Sequence, residues 1–216
     1  MPQQLPITTK AQATRQRILE AAAGMFWRRS FHGVAIDDVA VKSGVNKATI
    51  YRYYLDKAEL ALAAVVYNGE SVIADIFEPA FTKHSGPDDR LAAIYGCLYE
   101  AHRRFAEEEG DMFGCPIASL ALELGQDIPE VREEAHRIFS HIESYLLTIA
   151  EDALKLRSDL QWQPPELARM LVQQLHGAFT SARLAREAER VLDAGNASLT
   201  LIGSAMRLHP EGTNIL

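Results

Sequence analysis

The chain has 216 residues, enough for one or two domains with a sizeable core. Its hydrophobic content of 48% and charged content of 24% are those of a soluble globular protein, which excludes disordered, collagen-like and disulfide-scaffold classes. The net charge of −7 is unevenly spread. Residues 1–66 hold nine Lys/Arg and five Asp/Glu, a net +4, whereas residues 67–216 hold thirteen and twenty-four, a net −11. The chain thus has a basic head (residues 1–66) and an acidic body (residues 67–216). This distribution indicates that only the head binds a polyanion.

The N-terminal residues 1–9 contain two prolines and no periodic pattern, so we predict a mobile tail. Beyond it, apolar spacing, caps and Gly/Pro breaks predict about nine helices, at residues 10–29, 36–43, 47–54, 57–77, 88–108, 116–124, 129–156, 165–186 and 187–208. No convincing β-branched alternating run is present. We therefore predict an all-α protein with a helix-turn-helix domain (10–56) and a larger helical domain (57–216).

No apolar run of 18 residues and no secretory signal is found, so we expect a cytoplasmic protein without a membrane segment. The two cysteines, Cys97 and Cys115, are too few for a disulfide framework and are expected to be reduced thiols. Cys97 lies in the middle of a predicted helix and is interpreted as a core residue. His and Cys spacings match no metal motif, so we expect no metal site and no cofactor.

The sharpest signal is the helix-turn-helix pattern of residues 35–54, whose second helix can enter the DNA major groove. Gly44 breaks the first of its helices and Asn46 is a good N-cap for the second. Ile50 and Tyr54 lie four residues apart and are predicted to pack inward. The other faces remain available to DNA, and the predicted DNA-binding residues are Lys47, Ala48, Thr49, Tyr51, Arg52, Tyr53 and Lys57.

Different chemistry is expected of these residues. Lys47 and Arg52 suit guanine acceptors, so we predict that they read bases, and the methyl group of Ala48 can contact a thymine methyl. The hydroxyls of Thr49 and Tyr53 are available to phosphates. Tyr51 and Lys57 are predicted to bind phosphate, because Lys57 stands in the first turn of the following helix, an end that attracts anions.

These motifs occur in a fixed order over about 50 residues: Arg17-Ile18-Leu19-Glu20-Ala21-Ala22, Phe26, His32-Gly33-Val34, Asp38-Val39-Ala40, Gly44-Val45-Asn46-Lys47-Ala48-Thr49-Ile50-Tyr51-Arg52-Tyr53-Tyr54 and Asp56-Lys57-Ala58-Glu59-Leu60. The series resembles the N-terminal domain of the TetR family of transcriptional regulators. The resemblance implies a homodimeric, ligand-responsive repressor that binds operator DNA. We expect no enzyme activity, because no Ser/His/Asp arrangement, glycine-rich phosphate loop or paired-carboxylate signature is present. Family members often carry Ser or Thr at the positions of Ala35 and Ile36, so we expect Asp37 to cap that helix instead.

In the resembled family the acidic body binds a small ligand and forms the dimer. A mostly apolar pocket with a few polar groups suits a small organic effector. The candidate pocket residues are Tyr67, Tyr99, His102, Phe105, Phe113, Cys115, His141, Tyr145 and His176. Ordinary core packing is the alternative for each.

The last two predicted helices are the expected dimer interface, where they would form a four-helix bundle across the twofold axis. The residues predicted to form it are Leu171, Leu175, Ala178, Phe179, Ala182, Leu199, Ile202 and Met206. The same spacing also fits a stripe that faces the chain's own core, and the sequence does not divide the two roles.

Cys115 precedes a predicted helix with Pro116 at its first position, where the helix dipole and free amides would favour a thiolate. The Gly-Cys-Pro segment resembles a TetR subgroup in which this cysteine senses electrophiles or oxidants. A repressor that uses Cys115 as a thiol sensor is therefore the alternative to a noncovalent pocket, and a small packing residue is the structural alternative. A helical enzyme and an architectural DNA-binding protein are more remote alternatives.

Overall fold

The computed structural model describes residues 10–210 and 212–215, with side chains up to residue 210. Its helices are α1 Lys10–Arg29, α2 Ile36–Ser43, α3 Lys47–Ile50, α4 Lys57–Val72, α5 Glu78–Lys83, α6 Pro87–Glu109, α7 Pro116–Leu124, α8 Pro129–Leu156, α9 Pro164–Ala185 and α10 Glu189–Leu201. A π-helical turn, Ile73–Phe77, joins α4 to α5. The all-α prediction is confirmed, and the predicted tail at 1–9 lies outside the described residues.

The end of the chain differs from the prediction. The last helix stops at Leu201 rather than 208, and Gly203 takes a left-handed φ of 72° that ends it. Strand β1 (Met206–His209) then pairs antiparallel with β2 (Gly212–Ile215). The side chain of Asn196 accepts from the Leu208 N–H at 2.7 Å and donates to its carbonyl at 3.1 Å. These two bonds attach the backbone of β1 to α10. The Asn196 side chain thereby makes the hydrogen bonds that a third strand would otherwise make.

The described chain divides into two compact units. Unit 1 comprises Met1–Asn68 with Pro116–Ala135, and unit 2 comprises Gly69–Cys115 with His136–Leu216. This division differs from the predicted boundary between residues 56 and 57. The reason is tertiary: the first turns of α4 are buried in unit 1, and α7 packs against α1 although it lies far away in sequence.

Unit 1 surrounds a core formed by one face each of α1 to α4. The side chains buried there to 1% exposure or less include Ile18, Phe26, Val39, Ile50 and Leu60. α1 packs on α2, and α2 packs on α3. Because α2 packs on α1 and α3 packs on α2, the outward faces of the two helix-turn-helix helices are fixed in orientation.

Unit 2 contains the residues predicted to form the dimer interface, and here the prediction is wrong. All eight are buried within the single chain at 8% exposure or less: Leu171, Leu175, Ala178, Phe179, Ala182, Leu199, Ile202 and Met206. α9 and α10 pack against each other, α10 also packs against α6, and Met206 lies in β1 rather than in a helix. The apolar stripe therefore forms the core of unit 2.

The helical run Lys57–Lys83 is long and apolar enough to cross a membrane by length and composition alone, a feature that the sequence analysis did not anticipate. Core helices of soluble proteins pass the same test. The four residues of this run that are completely buried in unit 1 are Leu60, Ala61, Ala64 and Val65. In all, a third of the most apolar 18-residue stretch of this run is buried.

Candidate functional site

The turn between α2 and α3 is built from local chemistry. Gly44 has a φ of 68°, a left-handed conformation that glycine adopts without a Cβ clash. Asn46 then caps α3, because its Oδ1 accepts from the Thr49 N–H at 2.8 Å and from the Thr49 hydroxyl at 2.9 Å. The predicted N-cap is confirmed, and it fixes where α3 begins.

We expect Asn46→Ala to lower the free energy of unfolding by about 1 kcal/mol, because the Thr49 N–H and the Thr49 hydroxyl lose their side-chain acceptor. Operator affinity should fall with it, since α3 has four residues and little else to define its start. Asn46→Ser keeps a side-chain acceptor and serves as the control. Thermal denaturation of the three proteins measures the difference. Equal melting temperatures for Asn46→Ala and wild type would contradict the prediction.

The inward face of α3 is as predicted. Ile50 is 1% exposed and Tyr54 2%, and the guanidinium of Arg15 lies 5.6 Å from the centre of the Tyr54 ring. Burial raises the pKa of the Tyr54 hydroxyl. Tyr54 therefore belongs to the core rather than to the DNA-facing surface.

The remaining residues of this segment face outward. Lys47, Ala48, Tyr51 and Arg52 are exposed, while Thr49 and Tyr53 are half-buried. The Lys47 ammonium lies 3.1 Å from a carboxylate oxygen of Asp37 on α2. Both side chains of this ion pair are exposed, so the pair contributes little free energy in water. Lys47 can therefore exchange Asp37 for a base or a phosphate.

The expectation that Asp37 caps α2 is wrong. Asp38 does so instead, because its Oδ2 accepts from the Ala35 N–H at 3.1 Å. Asp38 stands at the third helical position, from which a carboxylate reaches back to the N-cap amide. The carboxylate of Asp37, one residue earlier, instead accepts a hydrogen bond from the Lys47 ammonium.

Sequence reasoning missed a cluster around Glu123 of α7. Its carboxylate accepts from the backbone N–H groups of Phe31 at 2.8 Å and His32 at 3.0 Å, and pairs with His32 Nδ1 at 2.7 Å. Burial raises the pKa of Glu123, but these bonds outweigh it and the pKa is lowered overall. The Glu123 cluster (Phe31, His32, Lys57, Glu123) therefore ties α7 to the turn after α1, across about 90 residues of sequence.

Lys57 belongs to the same cluster. Its ammonium lies over the Phe31 ring, 4.0 Å from the centroid. Burial lowers the pKa of Lys57, and the nearby Glu123 carboxylate opposes that effect. Lys57 thus already makes a contact inside unit 1, and its phosphate contact stays a prediction.

Eight of the nine candidate pocket residues lie in helices or loops of unit 2, with different degrees of exposure. Tyr99 and His102 are buried and His141 is exposed, whereas the half-buried ones are Phe105, Phe113, Cys115, Tyr145 and His176. Tyr67 lies in unit 1. The structure stacks His102 on Phe179 with ring centroids 4.9 Å apart, and sets His176 edge-on against Phe139 at 4.6 Å. These contacts bring residues of α6, α8 and α9 together.

The two cysteines have different surroundings. Cys115 is half-buried and directly precedes α7, as the sequence indicated. Its role as a thiol sensor stays a prediction. Cys97 is exposed on α6, which corrects its interpretation as a core residue. The inward face of α6 is carried by its neighbours Leu98 and Tyr99 instead.

Two family models match the chain. One, described as bacterial regulatory proteins of the tetR family, matches residues 18–64, and the other, described as the C-terminal domain of LmrA/YxaF-like transcriptional regulators, matches residues 91–197. The chain belongs to the TetR family of transcriptional regulators. The first match covers the whole helix-turn-helix with its Asn46 cap. The regulator therefore binds DNA, and proteins of this family act as dimers on operator DNA and are generally not enzymes.

Individual relatives agree with this assignment. An HTH-type transcriptional regulator of Mycobacterium tuberculosis, Rv0196, is 29% identical over 181 residues, covering 82% of this chain and 87% of that one. The crystal structure of a TetR regulator from Chloroflexus aurantiacus has a TM-score of 0.73 and 26% identity, covering 93% and 99%. A TetR-family structure from Agrobacterium tumefaciens, with a TM-score of 0.75 at 21% identity over 88% and 98%, shows the same fold.

Proposed function

We propose that the regulator is a cytoplasmic repressor that a small organic effector releases from its operator. The DNA-binding part of the proposal rests on one observation: α3 and the turn that follows it have a buried side and an exposed side. Ile50 and Tyr54 are buried, and the exposed side holds two cations and a methyl group at Lys47, Arg52 and Ala48. Such a surface matches the acceptors and thymine methyls of a major groove. A gel shift on the DNA upstream of its own gene tests the proposal, and a cell extract that reverses the shift identifies a source of effector.

Two substitutions distinguish a residue that reads a base from one that contacts the DNA phosphate backbone. We expect Arg52→Ala to cost about 1–3 kcal/mol of operator binding and to relax preference at one base pair. Tyr51→Phe keeps the exposed ring but removes the hydroxyl, so it should weaken operator and random DNA by the same factor. Binding isotherms on an operator and on shuffled DNA measure both. If Arg52→Ala weakens the two DNAs equally, Arg52 does not read a base.

The effector is proposed to bind within unit 2, where the aromatic contacts of α6, α8 and α9 lie. α4 and α8 each pass from one unit to the other along the chain, which gives a covalent route for coupling. A coupling free energy of about 1–3 kcal/mol suffices for about 5–150-fold weaker operator binding. By linkage, operator DNA must weaken effector binding by the same factor. Titrating effector with and without operator tests this equality.

For the dimer we propose the outward faces of α9 and α10. The exposed residues of these faces are Arg169, Gln173, Gly177, Thr180 and Leu184 on α9, with Arg190, Asp193, Ala197 and Thr200 on α10. Leu184 is 82% exposed in the single chain, and the centre of the surface is made of small residues. Small side chains allow two helices to approach closely, which a four-helix bundle across a twofold axis requires.

A further inference from the structure

One buried histidine in unit 2 has a defined tautomer. His102 of α6 is 7% exposed, and its Nδ1 lies 2.8 Å from the Leu98 carbonyl oxygen. A carbonyl oxygen only accepts, so Nδ1 must carry the hydrogen. In the neutral imidazole the other nitrogen, Nε2, then presents a lone pair. Burial lowers the pKa of His102, while the bond to Leu98 opposes this, and the net effect favours the neutral ring.

That lone pair has no partner. Within the described part of the chain, His102 Nε2 is buried and makes no hydrogen bond. A buried acceptor without a donor loses its hydration and gains nothing in return, which is why nearly all such atoms in folded proteins are paired with protein, water or ligand. Nε2 therefore marks a place where unit 2 lacks one hydrogen-bond donor.

The surroundings of His102 are aromatic. Its ring stacks on Phe179 of α9 with an interplanar angle of 18°. His176 lies three residues before Phe179 on the same helix and contacts Phe139 of α8 edge-on. The imidazole that carries the unpartnered Nε2 thus lies against an aromatic ring, and such surroundings suit a largely apolar ligand oriented by one polar contact.

We propose that Nε2 of His102 accepts a hydrogen bond from the effector, which is a neutral, ring-bearing compound with a hydroxyl or N–H donor. This rests on the proposed function and names its ligand class. A ligand with acceptors alone would face the Nε2 lone pair with another lone pair, so His102 discriminates by the donor. The bond to the Leu98 carbonyl holds the imidazole in the required tautomer, and the stack on Phe179 holds its orientation.

The tautomer is tested first, on the DNA-free protein. In ¹⁵N-correlated NMR at pH 7, the His102 resonance, assigned by its loss in His102→Gln, should show a protonated Nδ1 and an unprotonated Nε2 free of hydrogen bonding. A resonance with protonated Nε2, or an Nε2 already hydrogen-bonded to water, overturns the proposal.

The donor is tested with indole and benzothiophene, two bicyclic rings of similar shape of which only indole carries an N–H. Indole should bind about 10-fold more tightly, as one hydrogen bond to a buried acceptor allows, and should shift the Nε2 resonance. His102→Phe keeps a ring for the stack on Phe179 and should abolish the preference. His136→Phe, at an exposed position of α8, should retain it.

Equal affinities for the two rings, an unmoved Nε2 resonance at the solubility limit of indole, or a preference that survives in His102→Phe each overturn the proposal. Operator binding by the effector-free protein is measured separately by gel shift. If the shift occurs and the indole tests fail, the ligand class is wrong while the repressor function stands. If the shift is absent, the proposed function itself fails.

Discussion

Gly177→Leu is expected to dissociate the dimer and to reduce operator affinity by about 1000-fold, toward the affinity for random DNA. Gly177 is exposed in the middle of α9, and a Cβ built there meets no atom of the chain within 4 Å. Helix propensity alone would favour alanine at such a position by about 1 kcal/mol. A glycine is useful there if a second helix approaches closely. A leucine would keep the two copies apart.

Gly96 of α6 provides the matched control, because a Cβ at that position also meets open space. Gly96→Ala and Gly177→Ala should both stabilise their helices, but only changes at Gly177 should weaken self-association. Sedimentation velocity over a concentration series measures the dimer dissociation constant, and a gel shift measures operator affinity. If Gly177→Leu dimerises as wild type does, the outward face of α9 is not the interface.

Substitutions in the core stripe provide a second contrast. Leu175→Arg and Ile202→Arg would place a charge where the chain itself is packed, since the two residues are 5% and 0% exposed. They should unfold unit 2 rather than yield a folded monomer. Circular dichroism distinguishes this loss of structure from the folded monomer expected of Gly177→Leu.

Glu123→Ala is expected to lower the free energy of unfolding by about 2–3 kcal/mol. The substitution removes the carboxylate that makes three contacts, two with backbone N–H groups and one with His32 Nδ1. It leaves the part-buried Phe31 N–H without a hydrogen-bond acceptor. Glu133→Ala, which removes an exposed carboxylate in the same unit, should change stability by less than about 0.5 kcal/mol. Thermal denaturation at one fixed protein concentration compares the variants, because dimerisation makes the melting temperature concentration-dependent.

The Glu123 contacts also predict a pH dependence. The folded-state pKa of Glu123 is lowered, so its carboxylate contributes stability above its unfolded pKa of about 4.3 and loses it as pH falls through the folded value. Wild type should therefore lose more stability than Glu123→Gln between pH 6 and pH 3. A parallel decline of both proteins would show that the Glu123 charge adds nothing.

Local physics explains how much of the fold could be predicted. α7 and α8 begin and end where the sequence indicated, because Pro116 and Pro129 start them and their apolar periodicity repeats within a few residues. The two faces of α3 were predictable for the same reason. Ile50 ends α3 and Tyr54 follows four residues later, where its N–H donates to the Ile50 carbonyl at 3.0 Å, so this local turn brings both side chains to the buried side.

The failed dimer interface, the unpredicted hairpin and the unpredicted Glu123 cluster all involve partners distant in sequence. Periodicity identifies an apolar stripe on α9 but not its partner, and only packing against α10 shows that the stripe is internal core. The hairpin after Gly203 depends on the hydrogen bonds between the Asn196 side chain and the Leu208 backbone. The Glu123 cluster joins His32 to Glu123, which lie 91 residues apart in sequence. The sequence by itself determined most of the helices, the helix-turn-helix and the exposed cations Lys47 and Arg52, because each follows from contacts within one or two turns. The tertiary structure alone decided which faces are buried between helices and which polar groups, Glu123 and His102 among them, meet or lack a partner, because those contacts depend on how distant segments pack.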